Sequence, residues 1–195
     1  MSRKPLRIGV LAVQGDFEAH CRMLRGLGAE ATEVRTPGQL AGLDGLVIPG
    51  GESTTITKGM ARDGLDEAVR SYAASGGPIL GSCAGMIVCD AAHLGIGDYE
   101  CRRNAFGRQL QSFEQDLRLN GLGDEPLRAV FIRAPWVERA GERAEVLAEI
   151  DGHPVALRDG NLLAVAFHAE LTEDSRLHAL FMAMATAAQE ARQHA

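Results

Sequence analysis

The chain has 195 residues, enough for one ordinary domain with its own apolar core. Hydrophobic residues make up 46% and charged residues 24%, which excludes a disordered chain and a collagen-like rod. The 20 Lys and Arg against 26 Asp and Glu leave a net charge of −6, the wrong sign for a nucleic-acid surface, and no apolar run approaches the roughly 20 residues that a membrane helix needs.

The first half alternates short apolar runs with helical stretches. Arg7 to Val13 reads as a strand buried on both faces, too short an apolar run for a signal peptide. Asp16 is placed to cap a helix whose apolar positions Phe17, Cys21, Leu24 and Leu27 follow three-to-four spacing up to Gly28. Glu30 to Val34 is a second strand, and Leu46 to Ile48 a third, ended by Pro49-Gly50-Gly51. Helical sequence, interrupted near Gly64, runs to Ser75, and Gly76-Gly77-Pro78 turns the chain into a fourth strand at Ile79-Leu80. Strands separated by helices of about ten residues predict a parallel sheet.

The second half reads differently. Arg108 to Leu119, Arg128 to Ile132, Glu145 to Glu149, Val155 to Leu157 and Leu162 to Phe167 are predicted strands, joined by turns such as Asp159-Gly160-Asn161. Ser175 to about Gln193 is a closing helix with Leu177, Leu180, Phe181 and Met184 on one face. No repeat or linker divides the chain. The expectation is a single domain over residues 1–195: a three-layer α/β fold with a mainly parallel central sheet and added antiparallel strands.

In open parallel sheets, ligands gather beyond the carboxyl ends of the strands. Three glycine-bearing strand ends point there: Gln14-Gly15, Pro49-Gly50-Gly51-Glu52-Ser53 and Gly81-Ser82-Cys83-Ala84-Gly85. The last places a nucleophile between small residues, after a short strand and before a helix predicted from Ala84 to about Ala92, the form of a nucleophile elbow. The helix N-terminus beneath Cys83 favours an attacking thiolate, and the Ala84 amide points where an oxyanion forms. A cysteine nucleophile needs a base held by a third group. After the apolar run Leu163 to Phe167, His168 and Glu170 stand two apart, so in extended backbone they share a side and the carboxylate can reach the imidazole.

Other candidates keep plain readings. Cys21 and Cys89 sit on helices as small core residues, Cys101 lacks an evident partner, and no C-x-x-C spacing suggests zinc, so a reduced, cytoplasmic protein is expected. His20, His93, His153, His178 and His194 have no ligand-like spacing. Gly50 to Thr55 lacks the Lys of a phosphate loop.

The Cys83 elbow with His168 and Glu170 resembles the class I (triad) glutamine amidotransferases. Gln14-Gly15, Pro49 to Thr55, Arg103-Asn104-x-Phe106-Gly107-Arg108-Gln109, Ser112-Phe113-Glu114 and Phe131-Ile132-Arg133-Ala134-Pro135 are similar, in that order, to the glutaminase subunits of pyridoxal 5′-phosphate synthases. The resemblance implies glutamine hydrolysis to glutamate and ammonia, with Cys83 as nucleophile, His168 as general acid and base, and Glu170 as its orienting partner. It implies that Gly51, Glu52, Ser53, Arg103, Ile132 and Arg133 bind glutamine, and that Gly51 and Ala84 form the oxyanion hole. The ammonia would pass to a separate synthase (lyase) subunit, with no metal or organic cofactor in this chain and neither nucleic acid nor membrane as partner. Two departures stand out: Ala169 replaces the proline of the usual His-Pro-Glu, and the stretch between Ala92 and Arg103 is short. Two other classes remain at this level, a different Cys-dependent hydrolase such as a stress-response deglycase and a catalytically dead binding module. The flexible Gly50-Gly51 strand end also predicts an oxyanion loop that a partner completes by a peptide flip.

Overall fold

The computed structural model describes residues 4–107 and 112–194. Its elements in chain order begin with β1 (Arg7–Leu11), α1 (Phe17–Gly26), β2 (Glu30–Val34), β3 (Gly45–Ile48), α2 (Ser53–Arg62), α3 (Leu65–Ala74), β4 (Ile79–Ser82) and α4 (Ala84–Cys89). The second half holds β5 (Tyr99–Arg102), β6 (Ser112–Leu117), β7 (Leu127–Ile132), β8 (Trp136–Ala140), β9 (Glu145–Ile150), β10 (His153–Asp159), β11 (Leu162–Val165) and α5 (Arg176–Gln193).

The main sheet has seven strands in the order β2-β1-β3-β4-β11-β10-β9. The first five are parallel neighbours, and β10 and β9 extend them antiparallel. Ile8, Val10, Leu46, Val47, Leu80, Leu163 and Val165 are fully buried, as a sheet covered on both faces requires. Asp16 caps α1 by accepting the Ala19 amide at 3.4 Å, and Gly28 leaves the helix at φ +90°, both as the sequence predicts.

From β1 the chain goes to β2 on one side and later returns to β3 on the other, so the sheet switches direction beside β1. The carboxyl ends of β1, β3, β4 and β11 lead respectively to Gln14, Gly50-Gly51, Cys83 and His168. These ends frame the crevice that open parallel sheets use for ligands.

Several expectations shift in detail. The predicted strand Arg108 to Leu119 is the shorter β6, and residues 108–111 lie outside the described residues. β6 and β7 form a separate antiparallel ribbon, in keeping with the added antiparallel strands that the sequence predicts, and β5 and β8 form another from two strands that the sequence reading did not anticipate. The predicted helix after Cys83 ends at Cys89 rather than near Ala92. Asp90 stops it: its buried carboxylate takes the amides of Ala92 (3.0 Å), His93 (3.1 Å) and Cys101 (3.1 Å), winding residues 90–97 into a turn that leads to β5. A local hydrogen-bonding carboxylate thus outcompetes helix continuation.

Candidate active site

Cys83 stands at φ +50°, ψ −105°, a backbone conformation that non-glycine residues rarely hold, between the last residue of β4 and the first of α4. The flanking glycines make this turn possible by close approach rather than by left-handed φ. A Cβ on Gly85 would overlap the Ile48 carbonyl oxygen, and one on Gly81 would come within 2.8 Å of the Gly85 carbonyl oxygen. The elbow is therefore wedged against the end of β3. As the first residue of α4, Ala84 has an amide with no partner inside the helix.

His168 and Glu170 meet as the sequence predicts. His168 Nδ1 donates to Glu170 Oε1 at 2.6 Å, although Ala169 to Leu171 form a short 3-10 turn rather than extended strand. Glu170 is buried, and His168 is reached by solvent only at its edge. Burial opposes a charge on His168, but hydrogen bonds with the Cys83 sulfur and Glu170, and their charges, raise its pKa to about 10. Burial likewise opposes the Glu170 carboxylate, yet the neighbouring His20 and His168 hold it down at about 2.

The ribbon outside the main sheet contributes directly. The Val130 carbonyl of β7 accepts the His168 amide at 2.8 Å, and the Ile132 carbonyl lies 3.8 Å from Cys83 Sγ. Phe131 between them is fully buried against Phe167 and stacked on Phe113, at centroid distances of 5.6 and 4.6 Å.

A cleft of about 250 Å³ opens over Cys83. It is lined by Gly51, Glu52, Ser53, Ala84, Arg103, Ile132, Arg133 and His168, all predicted from the sequence, together with Gln14, Ile87 and Asn104. Of the predicted residues only Glu170 lies off the wall, behind His168. Glu52 turns its carboxylate onto the start of α2, accepting the Thr55 amide and hydroxyl, each at 2.8 Å, and the Thr54 amide at 3.2 Å. Those Thr55 bonds, with the Thr54 amide and the Arg103 cation, hold the Glu52 carboxyl at about 2. Arg103 Nη2 donates to Glu52 Oε1 at 2.9 Å and its Nη1 to Thr54 Oγ1 at 3.1 Å, so the β5 end is tied to the α2 start across the cleft. Gly51 has φ +152°, and its loop is pinned by Gln14, whose Oε1 accepts the Glu52 amide at 2.7 Å.

Three polar residues behind the site escape the sequence reading. Ser82, His20 and His178 are buried around Glu170. The signals were present: Ser82 is polar within the apolar strand before the nucleophile, and each histidine occupies the apolar stripe of its helix. Burial pushes the thiols of Cys21, Cys89 and Cys101 up, consistent with packing roles. Among the described residues no group of three or more His, Cys, Asp or Glu is placed to hold a metal ion, and no helix is long and apolar enough to cross a membrane.

The chain belongs to the SNO glutamine amidotransferase family, whose profile matches residues 10–187. It is 52% identical over 185 residues to the pyridoxal 5′-phosphate synthase subunit PdxT of Frankia alni, covering 90% of this chain and 93% of that one. It is 53% identical over 200 residues to the PdxT of Acidothermus cellulolyticus, covering 95% and 96%. A crystal structure of a glutamine amidotransferase superposes with a TM-score of 0.85 at 46% identity, over 92% of this chain and 98% of that one. A second glutamine amidotransferase crystal structure, from Thermotoga maritima, is 15% identical with a TM-score of 0.64 and shares the fold over 92% of this chain and 84% of its own.

Proposed function

We propose that the chain is a single glutamine amidotransferase domain, the glutaminase subunit of a pyridoxal 5′-phosphate synthase, which hydrolyses L-glutamine and delivers ammonia to a synthase subunit in vitamin B6 formation. The reading is carried by one observation: His168, held by Glu170 at 2.6 Å, shares a cleft with Cys83 on a strained elbow. The curated relatives named as PdxT support the pathway and the partner.

In this mechanism Cys83 Sγ attacks the side-chain amide carbon of glutamine, and negative charge gathers on the amide oxygen. The amides of Ala84 and Gly51 receive that oxyanion. His168, carrying the proton taken from the Cys83 thiol, passes it to the amide nitrogen; the C–N bond breaks, ammonia departs and a thioester is left on Cys83. Water, deprotonated by His168, cleaves the thioester and frees glutamate. Glu170 holds the imidazole orientation and stabilises its charged form. Arg103, Arg133, Glu52, Ser53 and Ile132 line the space for the substrate's amino-acid end. Ala169 in place of the usual proline removes no reacting group.

The Gly51 loop carries the regulation. Glycine backbone at 50–51 permits a peptide flip, and the Gln14 contact to the Glu52 amide holds one loop position. A partner that shifts this contact completes the oxyanion hole. One missing oxyanion donor costs about 100–1,000-fold in rate, which bounds the activation. The test is steady-state ammonia release from glutamine by the chain alone and then titrated with the synthase subunit. Turnover that rises with complex formation supports the reading, and an absence of glutamine hydrolysis in the demonstrated complex overturns it.

A further inference from the structure

Two imidazoles lie buried behind the proposed triad. His20 occupies the inner stripe of α1 with Cys21 and Leu24, and His178 that of α5 with Leu177 and Phe181; neither ring is exposed. Buried polar rings persist where their hydrogen-bonding groups are used. His20 Nδ1 and His178 Nε2 are 2.9 Å apart, and His20 Nε2 lies 3.3 Å from Glu170 Oε2, the carboxylate oxygen turned away from His168.

One proton lies between the two rings, and the surroundings decide which ring carries it. With the proton on His178 Nε2, His20 Nδ1 accepts and His20 Nε2 carries a hydrogen facing the carboxylate. The reverse assignment sets the His20 Nε2 lone pair against a carboxylate oxygen. It also buries a His178 Nδ1 hydrogen that has no acceptor among the described residues. The first arrangement wins on both counts. The His20 Nε2 hydrogen is not aligned for a full hydrogen bond to Glu170, so the contact is an oriented N–H dipole against an anion.

That dipole matters because the other neighbour of Oε2 is shared. Ser82 Oγ lies 3.1 Å from the Phe167 carbonyl and 3.3 Å from Glu170 Oε2, and a hydroxyl has one hydrogen to give. Whenever Ser82 serves Phe167, His20 still faces Oε2 with a donor. A neutral imidazole suits this place better than a cation, which would compete with His168 for the carboxylate. Burial favours the neutral form of both rings. It lowers the pKa of His20, with Glu170 and Asp16 opposing and His168 assisting, and with His20 it brings His178 to about 3 against the pull of Glu170.

We propose that His20, its tautomer fixed by His178, is a positioning residue that holds the Glu170 carboxylate in the orientation that serves His168. The proposal rests on the triad reading of Glu170 above. Freed of His20, the carboxylate turns or takes up a proton more readily, and the His168 imidazolium loses support.

The experiment compares His20→Asn with His20→Gln. Asparagine keeps a polar partner for His178 but falls short of Glu170, whereas the glutamine amide reaches it. In the complex with the synthase subunit, His20→Asn is expected to lower kcat about 10–100-fold, the usual scale for an outer partner of a reactive group. KM for glutamine should change little, and the alkaline limb of the kcat/KM profile should move to lower pH. His20→Gln should recover most of both effects. In a Glu170→Gln background, His20→Asn should add little further loss, because both act through one carboxylate.

If Glu170→Gln alone is harmless, the triad reading falls and this proposal with it. If Glu170→Gln is damaging but His20→Asn leaves rate and pH profile unchanged, the triad stands and the proposal is overturned. A full additional loss from His20→Asn in the Glu170→Gln background, or equal damage from Asn and Gln at position 20, also overturns it.

Discussion

The ring of His168 rests against the backbone of Gly50: a Cβ at position 50 would overlap His168 Cε1 and come within 3.0 Å of Nδ1 and 3.3 Å of Cys83 Cβ. The bare backbone at the end of β3 is therefore the floor on which base and nucleophile both sit. Gly50→Ala should lower the thermal midpoint modestly, because the displaced ring leaves the buried Glu170 carboxylate without its full hydrogen bond. Its kcat should fall about 100-fold, the scale expected for displacement of a reacting group by about an ångström. Steady-state kinetics beside a melting curve checks both halves, and a fully active variant would show that His168 tolerates the shift.

Labelling separates the four cysteines. A glutamine-like electrophile such as diazo-oxo-norleucine should modify Cys83 and spare Cys21, Cys89 and Cys101, whose thiols burial pushes up. Cys83→Ala and His168→Ala should both abolish glutamine hydrolysis with the fold intact. Glu170→Gln should retain more activity, since the imidazole survives without its anchor. Peptide mass spectrometry reads the first outcome, and an ammonia-release assay the others.

Arg103 bridges Glu52 and Thr54 at the cleft mouth. Arg103→Ala should raise KM for glutamine about tenfold, the worth of one hydrogen bond to a charged group, with a smaller change in kcat. Initial-rate measurements across a glutamine series give the split. A selective fall in kcat would assign Arg103 to the chemistry instead.

The two coupled groups predict how stability follows pH. His168 has its pKa raised to about 10 in the folded chain, so its contribution is whole below about 6.5 and is lost as pH rises through 10. Glu170 is depressed to about 2, so its contribution is whole above about 4.5 and is lost as pH falls towards 2. His20 and His178, whose pKa values burial lowers, add a loss that begins as pH falls below about 6.5, so with these four groups stability should be greatest near pH 6.5 and decline on either side. In Cys83→Ala the alkaline decline should end at lower pH, because part of the His168 shift comes from the sulfur. Urea midpoints from about pH 3 to about pH 10 for both chains provide the measurement.

The parallel half of the fold was legible because its signals are local. Apolar runs such as Ile8 to Leu11 and Leu46 to Ile48 lead into glycine-bearing turns, and Asp16 caps the helix that follows the first. The cleft residues were legible because the sheet gathers strand ends in one place. The β5–β8 ribbon was not, since Tyr99 to Arg102 and Trp136 to Ala140 are short and half exposed, and their pairing spans roughly forty residues. The Ser82, His20 and His178 cluster was hidden for another reason. Its members come from β4, α1 and α5, and only the folded chain brings Ser82 and His20 to the Glu170 carboxylate and His178 to His20.

Strand β7 also acts as a ruler. Its Val130 carbonyl holds the His168 amide, and its Ile132 carbonyl faces the Cys83 sulfur. Those two carbonyls are two residues apart on one strand, a span of about 6.8 Å set by extended backbone geometry. The separation of base and nucleophile is thus gauged by one fixed increment of chain rather than by the lengths of the loops that lead to each. Chains that lengthen or shorten those loops can preserve the spacing, whereas one residue inserted between Val130 and Ile132 would put the two reacting groups out of step.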